Sequence, residues 1–107
     1  MITCHVFVSH DTIVGFAVNG HDTPDADSGV SLVCAAVSSA VYMTVNAVTD
    51  VCNVDPLVLE IGDGLMTLRL LKEDAERCQI LLQGLKLHLE SLAADYETII
   101  TVNITEV

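Results

Sequence analysis

The sequence predicts an α+β fold: a mostly antiparallel sheet carrying two helices as a two-layer sandwich, in the order β-β-α-β-β-α-β. Three observations lead there. Apolar residues alternate at period two near both ends of the chain, and two further apolar runs flank a Gly-Asp-Gly turn. A Val- and Ala-rich run and a Leu-rich run repeat instead at helical spacing. The chain has 107 residues and is 51% hydrophobic, which suits a single domain, residues 1–107, around one aliphatic core.

Taken in order, residues 2–8 alternate, with Ile2, Cys4, Val6 and Val8 facing one way and Thr3, His5 and Phe7 the other. Ser9-His10-Asp11 is a polar turn into a second apolar run, 13–18, so the pair predicts an antiparallel hairpin. Asn19-Gly20 ends that strand. From His21 to Ser31 the chain is polar, with Pro24, Gly29 and three aspartates, the composition of an exposed loop. Ser31 is placed to cap a helix, its hydroxyl accepting the N–H of Cys34. Val33, Val37, Val41, Val45 and Val48 then recur at helical spacing to about Val51. Pro56 precedes a strand over 57–61, Gly62-Asp63-Gly64 turns the chain, and 65–71 completes a second hairpin. Lys72-Glu73-Asp74 leads into a helix with Cys78, Leu81, Leu82, Leu85, Leu89, Leu92, Ala93 and Tyr96 on one face. Residues 98–105 alternate again and add a last strand.

Charge excludes some functions. Four Lys plus Arg against fifteen Asp plus Glu give a net charge of -11, unsuited to neutralising phosphates or anionic lipid. Nucleic acid and membrane are therefore not expected as direct partners, and no apolar run is read as a bilayer span. An acidic surface does attract basic polypeptides, although solubility alone also explains it. The first ten residues, MITCHVFVSH, read as a strand and not as a signal peptide, and the four cysteines form no CxxC pair. The expectation is reduced thiols in a cytoplasmic protein.

Cys34 and His21 are the candidate chemistry. A helix N-terminus favours a thiolate, and Cys34 falls in the first turn of the predicted helix. His21 ends the second strand, and the loop between them is long enough to bring imidazole to sulfur, which pairs a nucleophile with a general acid/base for acyl transfer. The N–H groups of Cys34 and Ala35 are expected to stabilise an oxyanion. The plainer reading is a core thiol and a surface imidazole, which residue types alone favour.

The order of the residues adds to this. Gly20-His21, a loop with Gly29, then Leu32-Val33-Cys34-Ala35-Ala36-Val37-Ser38 resembles the signature of the ribosomal-processing cysteine protease family, Prp: Gly-His, a loop, and an apolar pair leading into Cys-Ala-(Ala/Gly)-x-Ser. The similarity continues through Val45-Asn46-Ala47 and through the Leu-rich helix from Arg77 to Tyr96, so it spans most of the chain. The resemblance implies a cysteine endopeptidase that removes the N-terminal extension of large-subunit ribosomal protein twenty-seven during bacterial ribosome assembly. It also implies a homodimer, no cofactor, Cys34 as nucleophile and His21 as its base. Gly20 and Ser38 match motif positions without an assigned step. Two departures stand out. Asp22 follows the histidine where many members have Ala, and Ser31 stands where many have Asp. Both Ser and Asp cap helices, but Ser31 orients a histidine less strongly, so a Cys/His dyad is expected.

The remaining polar residues have plainer readings. Asp22, Asp25, Asp27 and Gly29 loosely suggest a calcium loop, yet the closing Glu and the ligand spacing are missing, so no metal is expected. They are better read as an acidic loop able to meet basic substrate residues. Cys4, Cys52 and Cys78 are expected in the core; His5, His10 and His88 at the surface; Asp55 and Asp63 are ordinary turn residues. The rival functions are a non-catalytic acidic module that binds a basic ribosomal protein or assembly factor, and a thiol redox sensor.

Overall fold

In the computed structural model, residues 1–21 and 31–107 are described. The first hairpin is β1 (Ile2–Ser9) and β2 (Thr12–Gly20). Helix α1 (Leu32–Asn46) continues into a π-helical turn, Ala47–Val51. The second hairpin is β3 (Val58–Gly62) and β4 (Leu65–Arg69), followed by α2 (Lys72–Arg77), α3 (Gln79–Asp95) and β5 (Ile100–Glu106). The strands form one sheet in the order β3-β4-β2-β1-β5. Three pairings are antiparallel; β5 lies parallel to β1, which makes the sheet mixed. Both hairpins follow from apolar runs joined by turn residues, whereas the parallel pairing depends on the long helical crossover that precedes β5.

One face of the sheet meets the helices. Ile2, Cys4 and Val6 of β1, Phe16 of β2, Met66 and Leu68 of β4 and Ile100 of β5 join the Val stripe of α1 and Leu82, Leu85 and Leu89 of α3 in one core. Burying side chains such as Phe16, Leu68 and Leu82 contributes about 1.5–3 kcal/mol each. On the opposite face the Arg69 guanidinium lies 5.1 Å from the centre of the Phe7 ring, a cation–π contact. This is the two-layer sandwich the sequence predicts.

Local departures have physical causes. Phe7 pairs with Gly15 and Val8 with Ile13, so Val14 bulges from β2, and Ile13 and Val14 are both buried. The Gln79 carboxamide accepts from Ile13 N–H at 3.0 Å and donates to its carbonyl at 2.8 Å, standing in for a strand neighbour. The helix expected from residue 72 onward is two. Cys78, at φ -107 and ψ 10, breaks it, and its N–H turns back to the Ala75 carbonyl at 2.9 Å. The 20 residues Leu32–Val51, with mean hydropathy 1.6, are long and apolar enough for a bilayer span by length and composition, contrary to the expectation of none. In this fold their Val33, Val37, Val41, Val45 and Val48 side chains line the core.

Candidate active site

The register of the sheet builds one side of the site. Asn19 pairs with Leu65, and the Gly20 N–H donates to the Gly64 carbonyl at 2.9 Å, so the next residues of the ladder, His21 and Asp63, stand opposite each other. Their side chains meet, with His21 Nε2 3.4 Å from Asp63 Oδ1. On the other side Ile2 pairs with Gly20, and the Met1 nitrogen donates to the His21 carbonyl at 2.9 Å. The end of β2 is thereby held from both neighbouring strands. Gly20 has φ +99, and a Cβ on it would run into the Met1 carbonyl oxygen, so no other residue fits this point without strain.

Helix α1 supplies the other side. Ser31, extended at φ -84 and ψ 118, is the N-cap, and its Oγ accepts from Cys34 N–H at 3.1 Å, as the sequence predicts. Cys34 is half-buried in the first turn, packed against the core cluster. The first turn of α1 carries no acidic residue to offset the positive end of the helix.

Between these two sides lies a cavity of about 230 Å³, lined by His21 and Cys34 together with Gly20, Ser38, Tyr42 and Asp63. The two residues proposed for chemistry thus share one cavity. Ser38 lies on its wall one turn after Cys34. The expected role of Ala35 is corrected: its N–H is taken by the Ser31 carbonyl at 3.1 Å, and that of Cys34 by the Ser31 hydroxyl, so neither is available for an oxyanion. Asp22, Asp25, Asp27 and Gly29 lie outside the described residues.

Sequence reasoning missed Asp63 and Gly64. Both look like ordinary turn residues, but Gly64, at φ +68, lets the imidazole lie against its backbone, since a Cβ there would sit 2.9 Å from His21 Cδ2. The signal available beforehand was the register itself, extended one residue past Gly20. Among the described residues no group of three or more His, Cys, Asp or Glu side chains is placed to hold a metal.

Of the other thiols, burial pushes Cys4 up to about 11. Burial, and then the neighbouring Cys52, raise Cys78. Such thiols stay protonated and belong to the core, as expected.

The family model for cysteine protease Prp matches residues 1–101. The chain belongs to the Prp family. A curated relative, the ribosomal processing cysteine protease Prp of Bacillus subtilis (strain 168), is 35% identical over 104 residues, with 91% of each chain covered. The crystal structure of SMU.848 from Streptococcus mutans matches all of the chain and 96% of its own, at TM-score 0.82 and 24% identity. The essential ribosomal processing protease Prp from S. aureus, solved with a covalently linked product peptide, matches 98% of this chain and 100% of its own, at TM-score 0.84 and 23% identity. These two structures share the fold. Membership of the Prp family makes the chain a cysteine protease, hence a hydrolase.

Proposed function

We propose that this Prp-family protein is a cytoplasmic endopeptidase that removes the N-terminal extension of large-subunit ribosomal protein twenty-seven, acting as a homodimer with Cys34 and His21 as its reacting pair. The observation that carries the site assignment is the shared cavity: an imidazole from the end of β2 and a thiol from the first turn of α1 open onto the same space. The naming of the Bacillus subtilis relative as a ribosomal processing protease supports the class of substrate.

His21 takes the thiol proton and the Cys34 sulfur attacks the scissile carbonyl carbon. The tetrahedral adduct collapses to a thioester as the C–N bond breaks, and His21 returns the proton to the leaving amine. Water, deprotonated by His21, then releases the acid and restores the thiol.

The test is incubation with the extended ribosomal-protein precursor, reading a defined N-terminal truncation by mass spectrometry. Cys34→Ala and His21→Ala should each lower cleavage by at least about 1000-fold, while Cys34→Ala still binds the precursor. Wild-type protein that binds but leaves the precursor intact, as both variants do, would favour the acidic binding module instead.

A further inference from the structure

We infer that Asp63, at the tip of the β3–β4 hairpin, is a positioning residue for the His21 imidazole. It would stand as a third member of the site, supplied from the β3–β4 turn and not from Ser31 at the N-cap of α1. This rests on the reading of His21 as the base.

The sheet dictates the juxtaposition. Antiparallel register carries Asn19 to Leu65 and Gly20 to Gly64, so the next residue on each strand is His21 on one and Asp63 on the other. Carried one step past the strand ends, this register sets the two side chains against each other, and the approach is 3.4 Å at Nε2. Both backbones are fixed, His21 by the Met1 nitrogen on its carbonyl and Gly64 by the Gly20 N–H. Gly64, without a Cβ, leaves room for the imidazole beside the turn, where Nε2 meets the carboxylate.

A carboxylate at Nε2 favours the tautomer that keeps the proton on Nε2 and leaves the lone pair on Nδ1. Nδ1 is then the nitrogen that exchanges a proton with the thiol, and the carboxylate also balances the positive charge His21 gains during reaction. Among the described residues, the other titratable groups around His21 are Cys34 and Tyr42 on the cavity wall and the Met1 amino group at its carbonyl. Among these described residues Asp63 is the acidic one. Ser31, three residues before Cys34, is engaged with the N–H of Cys34.

His21 is 58% and Asp63 99% exposed, so solvent screens the pair and the effect is modest. Asp63→Ala should lower kcat for precursor cleavage about fivefold, equivalent to about 1 kcal/mol, with KM within about twofold. Nuclear Overhauser contacts between the His21 ring and the Gly64 α-protons should weaken in the same variant, and Asp63→Glu should restore both readings. Unchanged kcat and ring contacts in Asp63→Ala would overturn the inference. So would a loss confined to KM, which would make Asp63 a substrate contact, or a loss that Glu does not recover. The ring contacts need no turnover. A wild-type protein without cleavage but with Asp63-dependent contacts therefore counts against the protease reading and leaves the positioning role standing.

Discussion

Gly64 belongs to the His21 site although it carries no side chain. Its φ of +68 favours glycine, and the imidazole occupies the space a Cβ would need. Gly64→Ala should therefore cost about 1–2 kcal/mol of stability from the left-handed backbone alone. The displaced ring should lower kcat about tenfold to hundredfold, measured beside the thermal unfolding midpoint. A stability loss with full activity would mean that the ring moves without consequence. Cys4 makes a different kind of prediction. Burial raises its thiol from 9.0 to about 11, so the folded state holds this proton more tightly than the unfolded chain does. That contribution is fully present below pH 9.0 and is lost as pH rises from 9.0 to about 11. Its size is about 2–3 kcal/mol. Denaturant melts of wild type and Cys4→Ala across that window should converge as pH rises, because the variant lacks this part of the alkaline slope.

At the scale of the element, the start of α1 was legible because it is a local device. Ser31 three residues before Cys34 is a capping spacing, and the bond forms at 3.1 Å. Ser31→Ala should cost about 1 kcal/mol in thermal or denaturant unfolding, and Ser31→Asp should restore most of it, since both side chains accept the same N–H. An unchanged midpoint in Ser31→Ala would mean that the bond adds nothing to stability. The strand alternation of β1 was legible for the same local reason. What the sequence hid was non-local. The bulge at Val14 is held by Gln79, a residue of α3, and no pattern within β2 announces it. The break between α2 and α3 falls at Cys78 inside an unbroken helical periodicity, so the apolar spacing that identified the helix could not reveal that it is two. Asp63 pairs with His21 through the register of β2 on β4, which alternation leaves open until strand neighbours are known.

At the scale of the molecule, the net charge of -11 and the mixed sheet bear on how a substrate reaches the cavity. Of the four cations in the chain, Arg69 lies over Phe7, Arg77 pairs with Asp74 at 3.2 Å and Lys86 with Glu90 at 3.7 Å. Positive charge is therefore scarce and partly neutralised, and the field around the molecule is dominated by carboxylates. A basic ribosomal precursor would be drawn toward such a surface from beyond contact distance, and the attraction should weaken as the Debye length falls from about 10 Å at 0.1 M salt to about 3 Å at 1 M. The chemical step depends instead on groups that meet within a few ångströms in one cavity, well inside the Debye length. Raising ionic strength should thus lower kcat/KM through KM while kcat holds, and the dissociation constant of the Cys34→Ala variant for the precursor should rise in parallel. A flat response in both would reduce the acidic surface to a solubility device, and binding would then rest on the apolar walls of the cavity. A fall in kcat with constant KM would place the salt-sensitive contact inside the site, at the solvent-exposed His21–Asp63 pair.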